Sequence, residues 1–268
     1  MNCKICNSNS SQFFQTKVLN KYDVDYFRCN NCGFIQTEEP HWLKEAYGNA
    51  ITSLDIGLVD RNLYCKAEVS RIIDTLFPSA KVMLDYAGGY GLFVRLMRDA
   101  GYNFYRQDIY CENLFAKHFD ITDKADLKPD VVTAFEVFEH LPNPLEEIEK
   151  ILKYSDDLIF STTLAPKTQN EFNDWWYVTP ETGQHIAFYT NESLKLVAEK
   201  FGLNFYTNNY NLHIFSKAIF DDALVKKAFT SPAGFWKHFG NFFGTLKKGK
   251  TSLLQQDYDL ILGKFKIK

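Results

Sequence analysis

Val82-Met83-Leu84-Asp85-Tyr86-Ala87-Gly88-Gly89-Tyr90-Gly91-Leu92 decides how the rest of this chain is read. A short apolar run ends on an acid. Gly88, Gly89 and Gly91 follow, and Leu92 to Ala100 then reads as a helix ended by Gly101. Strand, glycine turn and helix open an α/β unit. The glycines let backbone approach a ligand closely at the carboxyl end of the strand, beside a helix N-terminus. The spacing is not the G-x-G-x-x-G of dinucleotide sites. The acid comes first, and a carboxylate there attracts a cationic ligand group and repels a pyrophosphate. Asp108 ends the next strand, 17 positions after Gly91, where a carboxylate can take both hydroxyls of a ribose. Such a ligand carries a ribose and a positive region and needs no phosphate.

Further along, the same alternation repeats. Phe104-Tyr105 and Val131 to Phe135 read as strands, Pro144 to Leu152 as a helix, and Leu158-Ile159-Phe160 as another strand. This predicts a mostly parallel sheet covered by helices on both faces. An irregular segment rich in Trp, Pro, Gly and Asn follows Ser161 and runs to about Thr190. Asn191 is expected to cap a helix through Lys200, with Gly202 as its stop. Strands at about 203–208 and 212–219 are expected to close the sheet. Upstream, His41 to Tyr47 reads as a short helix and Arg61 to Leu76 as a longer one, stopped by Pro78.

The first 40 residues differ. Cys3-Lys-Ile-Cys6 and Cys29-Asn-Asn-Cys32-Gly33 are separated by 22 residues, in which Phe13 to Phe27 alternates around a turn at Asn20 and Lys21. Two residues between thiolates let both sulfurs reach one Zn²⁺, and Gly33 permits the tight knuckle. Four cysteine ligands leave no open position, so Cys3, Cys6, Cys29 and Cys32 are expected to hold a structural zinc in a small β module. Cys65 and Cys111 read as buried small apolar residues. The expected partition is a zinc module at 1–40, a helical linker at 41–80, a main domain at 81–220 and a basic, aromatic helical extension at 221–268.

Apolar residues make up 46% and charged residues 24% of the 268, the balance of a globular chain rather than a disordered or fibrous one. No stretch approaches a bilayer-crossing segment. No apolar run opens the chain as a secretory signal does, so a cytoplasmic location is expected. The net charge of −3 excludes a protein that coats nucleic acid by charge alone. Yet residues from Asp221 onward carry +5 and the preceding 220 carry −8. The tail can hold an anionic group or touch a membrane surface peripherally; as a solvated helix it does neither.

Asp85, Gly89 and Gly91 match D-x-G-x-G-x-G, and the segment resembles the class I S-adenosylmethionine-dependent methyltransferases. Ala87 replaces the first glycine, a place that alanine takes with a negative φ. Asp130 to Pro142, with Glu139-His140 inside it, looks like the fourth-strand motif of the same superfamily. The zinc module, the linker Glu45-Ala46-Tyr47 and the segment Gly183-Gln184-His185-Ile186-Ala187-Phe188-Tyr189-Thr190 together resemble sugar methyltransferases of deoxysugar and surface-polysaccharide pathways. In the last segment Gln184 stands where those relatives carry an acid.

The resemblance implies a Rossmann-like fold with a seven-stranded, mostly parallel sheet. It implies a cofactor, S-adenosylmethionine, held by Tyr47, Arg61, Asp85, Ala87, Gly88, Gly89, Gly91, Asp108, Ile109, Phe135 and Glu136. It implies His185 as a base toward substrate, with Glu181 and His140 as further catalytic candidates. His140 reads equally as a capping residue. Trp175, Trp176, Tyr177 and Gln184 are the expected substrate contacts, since flat aromatics stack on sugar faces. The expected activity is O-methylation of a sugar hydroxyl, or of a small decoration such as a phosphoramidate, on a nucleotide-linked or phosphorylated sugar in capsule biosynthesis. C-methylation of a nucleotide-linked keto-deoxysugar is the nearest rival. A zinc-ribbon nucleic-acid-binding protein with a degenerate Rossmann-like domain is the rival from another class. Against it, the four basic residues of the first 40 are offset by four acids. Monomer and homodimer both stay open.

Overall fold

A computed structural model describes residues 1–48, 55, 57–230 and 256. Most of the expected 221–268 extension, including the break near 234–249, and positions 49–54 and 56 of the expected linker lie outside the described residues. The chain divides into two compact units, one of Met1–Ile56 with Val132–Ile219, the other of Gly57–Val131 with Phe220–Lys268.

In the first unit, β1 (Ser10–Val18) and β2 (Tyr22–Cys29) form an antiparallel hairpin. Its turn takes left-handed backbone at Leu19 and Asn20, one residue earlier than expected. A register shift between Gln12 and Phe14 breaks the alternation, and both Phe13 and Phe14 pack against one apolar cluster. β3 (Ile35–Thr37) extends the hairpin sheet. Its far edge is covered by β8 (Ala187–Phe188), a two-residue strand from far along the chain. The cluster beneath contains Tyr26, Trp42, Phe172, Tyr177 and Phe188, all 1% exposed or less. Trp42, just before the short helix α1 (Leu43–Ala46), donates its indole N–H to the Gly183 carbonyl at 2.8 Å. A side chain at Gly183 would meet Val18 Cγ1 at 2.9 Å, so glycine is required there.

The second unit holds α2 (Leu58–Leu76), β4 (Met83–Tyr86), α3 (Leu92–Asp99), β5 (Phe104–Gln107) and α7 (Asp222–Phe229). β4 and β5 pair in parallel. Later elements are β6 (Val131–Ala134), α4 (Pro144–Leu152), β7 (Leu158–Ser161), α5 (Gln169–Asn173), α6 (Asn191–Lys200), β9 (Asn204–Thr207) and β10 (Leu212–Ser216). β6 and β7 are parallel, while β10 runs antiparallel to β7 and β9. Every residue of β6, β7 and β10 is buried, as in a sheet covered on both faces.

The large sheet runs β5-β4-β6-β7-β10-β9, six strands rather than the expected seven. Outside β5, among the described residues, there is only an isolated parallel bridge, Arg106 to Asp120. Residues 109–130 lack the apolar run that an edge strand needs, and they make a 3₁₀ turn at Ile121–Asp123 instead. The α6 cap also differs from expectation. Thr190, not Asn191, accepts the Ser193 amide through its side chain. The Thr190 hydroxyl donates to the Cys32 carbonyl at 2.6 Å, so the cap ties the cysteine knuckle to α6. No helix among the described residues is long and apolar enough to cross a membrane.

His213, in the centre of β10, is fully buried. Its Nε2 donates to the Thr162 carbonyl at 2.9 Å and its Nδ1 accepts from the Thr207 hydroxyl at 2.8 Å. Burial holds its pKa down to about 4. The unfolded imidazole takes a proton near pH 6.5 and the folded one does not, so stability is constant above that pH and falls as pH drops toward 4. The expected loss by pH 5 is about 2 kcal/mol. Urea unfolding between pH 7 and 5 checks this, and His213→Gln flattens that limb of the profile.

Candidate active site

In the second unit, chain direction at the end of β4 is set by what lies beneath it. A Cβ on Gly88 would fall 2.6 Å from Asp85 Oδ2 and 2.8 Å from Arg106 Cγ, so the backbone crosses directly over the Asp85 carboxylate. Gly91 has φ +84°, and a Cβ there would meet Asn113 Oδ1 at 2.7 Å. Ala87 corrects the expectation of a negative φ. It sits at +55°, in the left-handed region that disfavours L side chains by about 1 kcal/mol. Backbone strain of this kind persists only where surrounding bonds over-determine the chain.

Those bonds are visible. The Gly88 N–H donates to the Gln107 carbonyl and the Gly91 N–H to the Gly88 carbonyl. Asp108 Oδ2 accepts the Gly89 N–H at 2.9 Å, and Oδ1 accepts Tyr110 N–H at 2.8 Å and Cys111 N–H at 2.7 Å. Three donors fix this carboxylate and leave acceptor capacity for a ligand. Beneath it, the buried Arg106 donates to the Gly89 carbonyl, the Cys111 carbonyl and Asp120. Nothing in the sequence singles out Arg106, because an arginine within a short strand reads as a surface residue. Ile109 is 76% exposed beside Asp108. Arg61 lies in the first turns of α2, partly exposed.

In the first unit, a second group of residues gathers after β6. Phe135 is half-buried, and Glu136 takes φ +53°. Its amide donates to Ser161 Oγ at 2.9 Å, and that hydroxyl donates back to Glu136 Oε1 at 2.7 Å. The 3₁₀ turn Phe138–His140 then buries Glu139 completely. No hydrogen bond of ordinary geometry reaches either carboxylate oxygen, and the buried hydroxyls of Tyr177 and Thr162 are likewise without partners. Burial first, and the Glu136 charge second, push the Glu139 carboxyl well above its usual range; the nearby Tyr177 and Thr162 hydroxyls only moderate the rise.

Two histidines face this carboxyl group. His140 Nδ1 lies 3.1 Å from the Gln184 carbonyl, and its Nε2 is 3.9 Å from Glu139 Oε1. His185 Nδ1 lies 2.6 Å from the Tyr177 carbonyl. The imidazoles stand 4.8 Å apart, nearly perpendicular, and the Tyr47 ring lies 6.3 Å from His140. One ligand-capable atom from each of Glu139, His140 and His185 falls within 4.8 Å of the others. Gln184 is buried, its amide donating to the Ala46 carbonyl at 3.0 Å.

His140, His185, Tyr177, Gln184, Tyr47 and Glu136 are therefore gathered in one unit. Glu181 is exposed in the turn before Gly183. Trp175 packs on Phe172, Tyr177 and Phe188, whereas Trp176 is 66% exposed. Glu139 was not among the expected site residues. Its signal was an acid placed between Phe138 and His140 in an otherwise apolar run.

A family model for a methyltransferase domain matches residues 59–208, more than half of the chain. The chain belongs to this methyltransferase-domain family. The matched range of the methyltransferase domain includes the glycine turn, Asp108, Glu139 and His185, and excludes the four-cysteine module.

Solved methyltransferases are distantly similar. An O-methyltransferase family protein from Burkholderia thailandensis is 13% identical, with 67% of this chain and 64% of that one covered at a TM-score of 0.46. The plantazolicin methyltransferase BpumL, in complex with S-adenosylhomocysteine and a substrate analogue, is 12% identical over 66% and 93%, at 0.44. Human N-acetylserotonin methyltransferase, in complex with S-adenosylmethionine, is 15% identical over 57% and 52%, at 0.38. No curated protein matches the sequence.

Outside the methyltransferase match, the four cysteine sulfurs converge. Cys3–Cys32, Cys6–Cys29 and Cys6–Cys32 Sγ distances are 3.7, 3.4 and 3.6 Å. Four thiolates at tetrahedral zinc stand about 3.8 Å apart, so the donor set fits that ion. Amides of Ile5, Asn31 and Cys32 point at the Cys3 and Cys29 sulfurs, as in zinc knuckles. The hydrogen bond with Cys32 brings the Cys3 thiol down to about 5, and raises that of Cys32 in turn.

Arg106→Met is expected to lower the unfolding free energy by about 3 kcal/mol, because it strands the Gly89 and Cys111 carbonyls and the Asp120 carboxylate. Arg95→Met, which loses a partly exposed i,i+4 pair with Asp99, is expected to lose less than about 1 kcal/mol. Urea unfolding of the two variants compares them, and equal losses contradict the assignment.

Proposed function

We propose that the protein is an S-adenosylmethionine-dependent methyltransferase acting on an oxygen acceptor, with a sugar hydroxyl as the preferred class. One observation carries the reading: an acid-first glycine turn whose backbone is bonded to a ribose-ready carboxylate, Asp108. When bound, S-adenosylmethionine supplies a methyl group on a positively charged sulfur and leaves as a neutral thioether. Asp108 would hold the ribose hydroxyls, and the exposed Ile109 beside it would offer an apolar contact to the cofactor. Asp85 favours the cationic end, and Gly88, Gly89 and Gly91 allow close backbone approach. Ala87, Phe135, Glu136, Tyr47 and Arg61 complete the proposed cofactor set.

On the acceptor side, a sugar hydroxyl needs a base. The Tyr177 carbonyl keeps the His185 hydrogen on Nδ1, so Nε2 carries the lone pair that accepts the acceptor's proton. His140 is held in the same tautomer by the Gln184 carbonyl. The buried Glu139, whose carboxyl burial holds toward its neutral form, lies 3.9 Å from His140 Nε2 and helps to set the position of that ring. Trp176 offers an open aromatic face of the kind sugars stack on. Gln184, bonded to the Ala46 carbonyl, holds the loop rather than supplying an acid, which favours O- over C-methylation. The four cysteines hold a structural zinc.

S-adenosylhomocysteine release across nucleotide-activated sugars, phosphorylated sugars and keto-deoxysugars is the test. His185→Ala is expected to cut turnover at least 100-fold, the scale of a lost general base, while S-adenosylhomocysteine binds within a few-fold of wild type. Unchanged turnover overturns the base assignment, and a new C–CH₃ bond in the product overturns O-methylation. Cys32→Ser is expected to lose the metal that plasma emission finds at one zinc per wild-type chain, with a lowered melting temperature.

A further inference from the structure

We propose that Lys4, which lies between two of the four cysteines, is a positioning residue for the acceptor side of the site: its ammonium ties the cysteine knuckle to the turn that carries His140. The first support is a hydrogen bond. Lys4 Nζ donates to the Pro142 carbonyl at 2.8 Å, across 138 positions of sequence. Pro142 follows His140 by two residues, just beyond the 3₁₀ turn Phe138–His140. A bond given by an ammonium is stronger than one between neutral groups. Glu39 Oε2 stands 3.9 Å from the same ammonium but is largely exposed, and holds it weakly.

The second support is what holds Lys4 itself. Its amide donates to Gln36 Oε1 at 2.8 Å, and Gln36 Nε2 donates to the Asn2 carbonyl at 3.0 Å. One buried side chain thus grips the backbone on both sides of Cys3. Zinc at the four sulfurs would fix Cys3 and Cys6 on either side of Lys4, so the lysine stem starts from a set position. Gln36 lies on β3 and pairs with Ala187 of β8, two residues after His185. The other knuckle acts from the far end of that segment, where the Cys32 carbonyl accepts the Thr190 hydroxyl at 2.6 Å. Both histidine segments are therefore tied to the cysteine module, one through Lys4 and the other through β3 and Thr190. They meet at the imidazoles, whose centroids are 4.8 Å apart. The His140 Nδ1 and the Gln184 carbonyl, 3.1 Å apart, join the segments there. A shift of about 1 Å at a reacting group is enough to cost roughly 100-fold in rate, so slack at Pro142 is felt at the acceptor.

The effect on methyl transfer rests on the function proposed above; the effect on the histidines does not, and it is read without substrate. The full chain, loaded with zinc and labelled at histidine, is compared by NMR as wild type, Lys4→Met, Lys4→Gln and Lys17→Met. Methionine keeps the stem without a donor, and glutamine is too short for the Pro142 carbonyl. Lys17, paired with Asp23 on the exposed hairpin, is the control. Both Lys4 variants are expected to keep one zinc per chain and to shift or broaden the His140 and His185 imidazole signals. The His118 signals stay in place, and Lys17→Met matches wild type throughout. With an acceptor, kcat falls at least tenfold in the Lys4 variants, while S-adenosylhomocysteine binds within twofold of wild type. Melting curves report which variants fold, and either folded Lys4 variant decides. Wild-type histidine signals in a folded, zinc-loaded Lys4 variant overturn the proposal, as does shifted signal with unchanged kcat. Loss of zinc, or unfolding of both variants, also overturns it, because the lysine then serves the metal site or the fold as a whole. Shifted signals without methyl transfer to any acceptor by wild type overturn the proposed function and leave the Lys4 tie standing.

Discussion

The backbone of the 3₁₀ turn Phe138–His140, which carries the fully buried Glu139, anchors the segment that brings His185 to its place in the first unit. Glu139 has no exposed surface, and its backbone is hydrogen-bonded. Its carbonyl accepts the Ile186 amide at 2.9 Å, which fixes the segment leading into β8. From there Ala187 and Phe188 pair with β3, and Tyr189 donates to the Phe138 carbonyl at 3.1 Å. His185, one residue before Ile186, is thus carried to Glu139 by backbone hydrogen bonds rather than by its own side chain. Burying a carboxyl is costly. Its retention beside two oriented imidazoles fits a group kept for chemistry, since strained groups gather where function requires them.

The same logic joins the cysteine knuckle to the rest of its unit. Gly33 follows Cys32 with φ +71°, packed against the Thr190 methyl. The Thr190 hydroxyl bonds the Cys32 carbonyl and caps α6. The edge of β3, which the four-cysteine module alone would leave open to unwanted pairing, is closed by β8. The module is therefore built into the unit that carries His185, sharing its sheet and its apolar cluster.

Much of this was legible in the sequence, and the reasons are local. Pro144 to Leu152 is a helix to the residue because proline at its first position and the apolar spacing agree. The glycine turn was legible because only glycine accommodates what lies under positions 88 and 91. What escaped was set at long range. A two-residue strand such as β8 carries no periodicity, and its pairing with β3 is decided by the fold. Ala87 adopts a conformation its side chain disfavours because neighbouring bonds impose it. Glu139 was legible only as part of the motif from Asp130 to Pro142, and its complete burial in the 3₁₀ turn Phe138–His140 is set by the fold. The resemblance implied seven strands, and the described residues pair six in the large sheet; residues 109–130, beyond β5, are too polar to supply another.

Calorimetric titration of the purified protein with S-adenosylhomocysteine, and separately with ADP-ribose, tests the central claim most directly. Both ligands carry an adenosine; they differ in whether a pyrophosphate must cross the Asp85–Gly88 turn. The account predicts saturable binding of S-adenosylhomocysteine, weakened at least tenfold in Asp108→Ala, and no binding of ADP-ribose. Tight ADP-ribose binding with none of S-adenosylhomocysteine would contradict it.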